Sequence, residues 1–263
     1  MSSGRISPYL IARLAKGIRG IHFPSIMLRL VFALFLTLTA ASSGQESRTI
    51  TLRTLCFQHV NNVKMLYLPG KEPGQLVEVP LFTEVFSLPV TATATGGKVS
   101  FLLTKEPPAQ GKQAPALPPV AIPSAKEVLF LFLPNPGNKD VPYQVVAMGD
   151  DEASFPLGTT KAMNLTRANL RFDLGELSDA KGILVTPGKT TIIPPVRKVN
   201  HLNQFDAKVL YEVKPKEFAV FYNTRWRSVA GKRDIAIAYI DPRTKQPMVN
   251  LYEDAPPAEI PPP

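Results

Sequence analysis

The sequence predicts an all-β protein, on three observations. Short runs rich in β-branched and aromatic residues follow one another, separated by Gly, Pro, Asn and Asp turns. Downstream of residue 44, no stretch of a dozen residues keeps a 3.6-residue apolar period. The most apolar run there, Val128 to Leu133, is only six residues long, a strand length rather than a helix length. With 44% apolar and 19% charged residues in 263, the chain can bury real cores and is not disordered as a whole.

The first 44 residues read as an address. Leu30 to Ala41 is an apolar run between Arg29 and the small residues Ser42-Ser43-Gly44. That is the pattern of a secretory signal peptide, and the run is short for a membrane span of about 20 residues. Met27 opens a more conventional leader and is an alternative start, with cleavage expected between Ala41 and Gln45. This segment holds Arg5, Arg13, Lys16, Arg19, Arg29 and no acid, so 25 of the 30 basic residues face all 21 acidic ones in the rest. The net +9 therefore falls to about +4 downstream, too mild for a nucleic-acid surface. The chain is expected to be exported, periplasmic or extracellular, with no transmembrane span once the leader is gone. Cys56 is the single cysteine. No internal disulfide can form, and a small buried thiol is the expected role.

Strands are then expected in order. Thr49–Val60, the VKMLYLP run from Val63, QLVEVPL from Gln75, Val85–Thr95 and KVSFLLT from Lys98 come first. Residues 106–123 are proline-rich and read as a long exposed loop. Val128–Leu133 follows and, being continuously apolar, is expected to be buried on both faces. After it come Val141–Met148, Thr159–Leu165, Asn169–Leu174, Gly182–Thr186, Lys189–Ile193, Ala207–Val213, Glu217–Trp226, Asp234–Ile240 and Met248–Tyr252. Ala255 to Pro263 is a Pro-rich tail expected to be disordered. Strands at this spacing suggest two tandem antiparallel β-sandwich lobes, immunoglobulin-like or transthyretin-like, over residues 45–154 and 155–254. Two matches at one offset hint at a repeat: Val63 onto Leu170 and Val128 onto Ile235, each 107 residues apart.

Few residues promise chemistry. His59 and His201, the histidines beyond the leader, have no partner at metal-ligand spacing, and no G-x-S-x-G is present. Gly188-Lys189-Thr190-Thr191 imitates a phosphate loop, but Gly182 is one residue too far upstream and a strand follows instead of a helix. Asp150, Asp151 and Glu152 form the densest acidic cluster; such carboxylates can serve as an acid/base pair, or simply shape a soluble turn. Their spacing does not match a calcium loop. Arg225, Trp226 and Arg227 join an aromatic to basic residues, a candidate surface for an anionic glycan, a lipid headgroup or a partner strand. The alternative is a core Trp226 flanked by outward arginines, by the two-residue period of a strand. Asn164-Leu165-Thr166 fits the N-glycosylation pattern.

Phe155 to Thr166, with FPLG and MNLT, preceded by LFLFLP and VVAMGDD, resembles uncharacterised secreted β-sandwich proteins of bacteria. In these an F-P-x-G turn leads into a strand ending in N-L-[ST]. The resemblance implies an extracytoplasmic β-sandwich and carries no catalytic residues to transfer. The expectation is therefore a non-enzymatic binding or structural protein of the cell envelope, with a protein or envelope-glycan partner, no cofactor and no metal. Its rivals are an envelope glycan or peptide hydrolase using Asp150 to Glu152, and a carbohydrate-binding module using Trp226. Strand addition to an open sheet edge is a plausible way of meeting a partner.

Overall fold

The structure is a computed structural model and describes residues 46–70, 72, 74–106, 114–135, 137–175, 182–241 and 244–255. The leader with Met27, residues 107–113 of the proline-rich loop and residues 256–263 of the tail lie outside the described residues. The described part belongs to one compact unit, Glu46–Pro263. It is all-β, and no described helix is long and apolar enough to cross a membrane.

The first eight strands are β1 (Ser47–Cys56), β2 (Met65–Pro69), β3 (Leu76–Pro80), β4 (Val90–Thr95), β5 (Lys98–Val99), β6 (Val120–Ala121), β7 (Glu127–Pro134) and β8 (Tyr143–Gly149). The next eight are β9 (Thr160–Asn164), β10 (Leu170–Leu174), β11 (Ile183–Val185), β12 (Thr190–Ile193), β13 (Gln204–Lys214), β14 (Glu217–Arg227), β15 (Arg233–Ile240) and β16 (Pro247–Asp254). One sheet runs β6-β5-β4-β1-β7-β8 and a second β12-β9-β15-β16. The others are the β2-β3 hairpin and the sheet β11-β10-β13-β14.

The expectation of purely antiparallel sheets is corrected. β1 pairs with β7 in parallel, and β9 with β15 in parallel, while the flanking pairs are antiparallel. Parallel neighbours need long returning connections, and some seventy residues of intervening strands supply each one. Parallel strands are also the ones usually covered on both faces, and that is what happens here. Alternate residues of β1 and β7, including Leu52, Cys56, Val128, Phe130 and Phe132, face a first core closed by β2 and β3. Their other face, Leu55, Leu129 and Leu131, meets Met163, Ile235, Ile237 and Tyr252 in a layer between the two mixed sheets. Beyond that layer Ala162, Ala236 and Ala238 face a second core closed by β10, β11, β13 and Trp226 of β14. The apolar run Val128–Phe132 is buried along its whole length because it serves two layers at once.

The order β4-β1-β7-β8 matches β12-β9-β15-β16 in sequence of pairing and in direction. The hairpin β2-β3 is extended by bridges from Tyr67 to Leu102 and from Leu102 to Ala116, echoing β10-β11 with β13 and β14. The offset of 107 residues does not survive, however. It would place Val128, which faces the first core, on Ile235, which faces the layer between sheets. It would also place inward Leu66 and Leu68 on Asp173 and Gly175, where Leu170, Phe172 and Leu174 are the inward set. Side chains alternate along a strand, so an offset of the wrong parity turns each one to the opposite face.

Two smaller differences concern the edges. Residues 85–89, expected as strand, form a loop whose Ser87 is tied to β1 through the Thr54 amide and carbonyl. The proline-rich stretch ends in β6, a two-residue edge strand, where missing ladder donors cost least.

Candidate functional site

The layer between the two mixed sheets has two chemically opposite ends. Along β1 the side chains of Arg53, Leu55 and Phe57 succeed one another on the same face. At the Arg53 end, four ionised side chains meet. Asp150 follows β8, Arg233 opens β15, and Asp254 closes β16 opposite Arg233. Arg53 donates to both Asp150 oxygens (Nε to Oδ2 2.8 Å, Nη2 to Oδ1 3.0 Å) and to both Asp254 oxygens (2.8 and 2.7 Å). Arg233 donates from Nε to Asp254 Oδ2 and from Nη2 to Asp150 Oδ1, each at 2.8 Å. Its Nη1 reaches the carbonyls of Asp150 and Phe155. All four residues are at most 8% exposed.

Aromatic rings line this quartet. Arg53 sits 5.1 Å from the Phe86 ring centre, and Phe155 lies between Arg233 at 4.6 Å and Lys161 at 4.2 Å. Burial alone would raise the Asp254 carboxyl, but the hydrogen bonds from Arg53 and Arg233 outweigh it and hold the group below its usual range. Burial also drives the Lys161 ammonium down to about 8, aided by Arg233 and opposed by Asp150. Its Nζ donates to the Gly149 carbonyl at 2.7 Å.

The acidic cluster is thus divided. Asp150 has both carboxylate oxygens occupied by guanidinium groups and is closed to a substrate. Asp151 accepts the Ser154 amide at 2.8 Å in a turn, and hydrogen bonds from Ser154 hold its carboxyl low. Glu152 is exposed beside it. Trp226 is 3% exposed, with its indole N–H on the Tyr222 hydroxyl and its ring edge-on to Phe205, so it presents no face to a sugar. Arg225 and Arg227 point outward on either side, Arg225 toward Asp206. Cys56 is fully buried, and burial pushes its thiol up to about 11.

The FPLG and NLT residues are structural. Phe155 is the ring between two cations, and Gly158 takes a φ of +78° where a side chain would be strained. Asn164 is wholly buried: its amide nitrogen donates to Ala168 and Val185 carbonyls, and its oxygen accepts the Thr166 amide and hydroxyl. The glycosylation pattern is therefore a locked turn with no free amide in the folded protein. Among the described residues, no group of three or more His, Cys, Asp and Glu could hold a metal.

The other end of the layer is apolar and open. Phe57 and Tyr239 meet edge-on, ring centres 4.4 Å apart, where β1 and β15 end. Two hollows adjoin this contact, one at both rings and the other at Tyr239 alone. One, of about 680 Å³, lies among Phe57–Asn61, Leu133, Pro134, Gln144, Leu165, Tyr239 and Ile240. The other, of about 610 Å³, lies against Leu165–Ala168, Leu170, Tyr211, Tyr239, Ile240 and Pro247. Leu165, Tyr239 and Ile240 belong to both, so the hollows share a wall and adjoin as a groove in two parts. Ile240 stands 45% exposed on it.

Sequence reasoning missed both ends. The signal for the quartet was Arg53 inside ITLRTLC, where alternation sets it beside Leu55 and so demands a buried carboxylate. The signal for the groove was Tyr239 ending the small-residue run IAIAY, but nothing local revealed Phe57 as its partner 182 residues away.

Two outcomes are expected. Arg53→Met leaves two buried carboxylates sharing one guanidinium and should cost about 3–5 kcal/mol in urea denaturation. Asp234 lies opposite Glu253, and burial first, then Glu253, raises its carboxyl to about 7 against Lys232. A carboxyl raised on folding takes up a proton, so its contribution is lost as pH climbs from about 4 to 7. Asp234→Asn should remove that slope and be the more stable protein above pH 7, as read from melting temperature against pH.

Compared with known proteins, the chain matches no family model and no curated protein.

Proposed function

We propose that the protein is an exported, non-enzymatic binding protein of the bacterial cell envelope, built as two tandem immunoglobulin-like β-sandwich lobes over residues 45–154 and 155–254. Its binding site is the groove at the Phe57–Tyr239 end of the layer between them. The observation that carries this reading is the pair of apolar hollows sharing Leu165, Tyr239 and Ile240. Binding sites are concave and mostly apolar, with a few polar groups at the rim. Here Gln58, Gln144, Asn61 and Arg167 are those groups. The matching strand order of the two halves supports the tandem arrangement, and the basic–apolar–small leader supports export.

A groove of this kind takes an extended apolar partner more readily than a sugar, because its walls offer rings and few hydrogen-bonding groups. The amphipathic dye anilinonaphthalene sulfonate should bind the folded protein saturably with blue-shifted emission. Ile240→Asp, an exposed position, should weaken that binding at least about tenfold, which is about 1.4 kcal/mol. Dye binding indifferent to Ile240→Asp removes the groove as the site. N-terminal sequencing of the exported product should find a first residue between Ala41 and Gln45; material kept in the cytoplasm with residues 27–44 intact would contradict export.

A further inference from the structure

We propose that the groove takes the proline-rich C-terminal segment, Pro256 to Pro263, of a second copy of this chain. The proposal rests on the groove being a binding site.

The groove cannot add a strand to its central element. β15 is already paired by β9 on one side and β16 on the other, and β7 by β1 and β8. The strands β8 and β16, which give Gln144 and Pro247 to the hollows, stand at the edges of their sheets, but a ligand lying across β7 and β15 is held by side-chain packing and not by a backbone ladder. The walls carry Phe57, Tyr211 and Tyr239 together with Pro134 and Pro247. Aromatic-lined grooves that do not add strands suit the polyproline II helix, which has no internal hydrogen bonds and packs its rings against aromatic faces. The chain carries such a ligand in PPAEIPPP, five prolines in eight residues.

Charge agrees. No Asp or Glu lines either hollow among the described residues, while Arg167 does. The segment brings Glu259 and follows Glu253 and Asp254. Direction decides which copy supplies it. β16 starts at Pro247 on the groove and runs away to Asp254 in the charged quartet, seven residues or roughly 23 Å distant. The chain leaves β16 heading away from its own groove, and a neighbouring copy's groove needs no reversal. The contact is head-to-tail, so copies would associate through two different surfaces.

The test uses a labelled peptide of sequence APPAEIPPP and the whole protein. Fluorescence anisotropy should show saturable binding, weakened at least tenfold by Ile240→Asp, and competition with the dye. A peptide with all five prolines replaced by alanine, keeping the charge, should bind at least tenfold more weakly. Light scattering should show the mass of the protein rising with concentration, and a chain ending at Ala255 should stay monomeric. Dye binding that responds to Ile240→Asp while the peptide fails to bind overturns the assigned occupant and leaves the groove standing. Equal binding of the neutral proline-rich peptide APALPPVAIP, residues 114–123, overturns the assignment to the tail. Loss of dye response and peptide binding together overturns both readings.

Discussion

A sheet covered on both faces has nowhere wet to put a side chain, and the rest of the molecule follows from that constraint. Over their buried lengths, β1 and β7 on one side, β9 and β15 on the other, give every second residue to an outer core and the remainder to the layer between them. Residues on such strands must be apolar, small, or polar with their groups hydrogen-bonded. Leu129, Leu131, Ile235 and Ile237 meet the first condition, Ala236 and Ala238 the second. Arg53 and Arg233 meet the third through carboxylates, Lys161 through the Gly149 carbonyl and Asn164 through its turn, the three cations each with an aromatic ring alongside. Every buried side-chain nitrogen and oxygen among the described residues has a partner.

Much of the fold was legible because strands are local. Val128–Phe132 announced its double burial by unbroken apolarity, and β9 through β16 lie close to the runs expected for them. Pairing direction was not legible, since parallel and antiparallel neighbours can bury the same Leu and Val. The repeat shows how far pattern reading reaches. Similar strands do fall in the same order, yet the 107-residue match paired inward side chains with outward ones. Apolar strands of unlike facing look alike when letters are compared without parity.

The candidate site was less legible, for a physical reason. Asp150 stood out as part of an acidic cluster, but its meaning depends on Arg53, 97 residues earlier, and Arg233, 83 later. Trp226 stood out as a lone indole among arginines, and alternation alone could have turned it inward or outward. The groove residues Phe57, Leu165 and Tyr239 are ordinary strand-end residues whose importance comes only from where three strands stop together.

The quartet and the groove are two consequences of one packing problem. Taking four charges out of water is costly, and an apolar set of equal volume would often hold two sheets together at least as firmly. What forked Arg–Asp pairs provide is geometry: Leu and Ile surfaces can slide, whereas a guanidinium shared between two carboxylates admits one alignment. One end of the layer is thereby pinned, with Phe155 and Phe86 sealing it. The middle is filled by branched aliphatic side chains. At the far end the strands stop at Phe57 and Tyr239, and a single edge-on ring pair closes a gap wider than itself. Loops take over there, and the hollows that share Tyr239 remain. A fixed alignment at the charged end limits how far the two sheets can slide at the end where the hollows lie. The charged quartet thus bears on the hollows from the opposite end of the layer, without touching them.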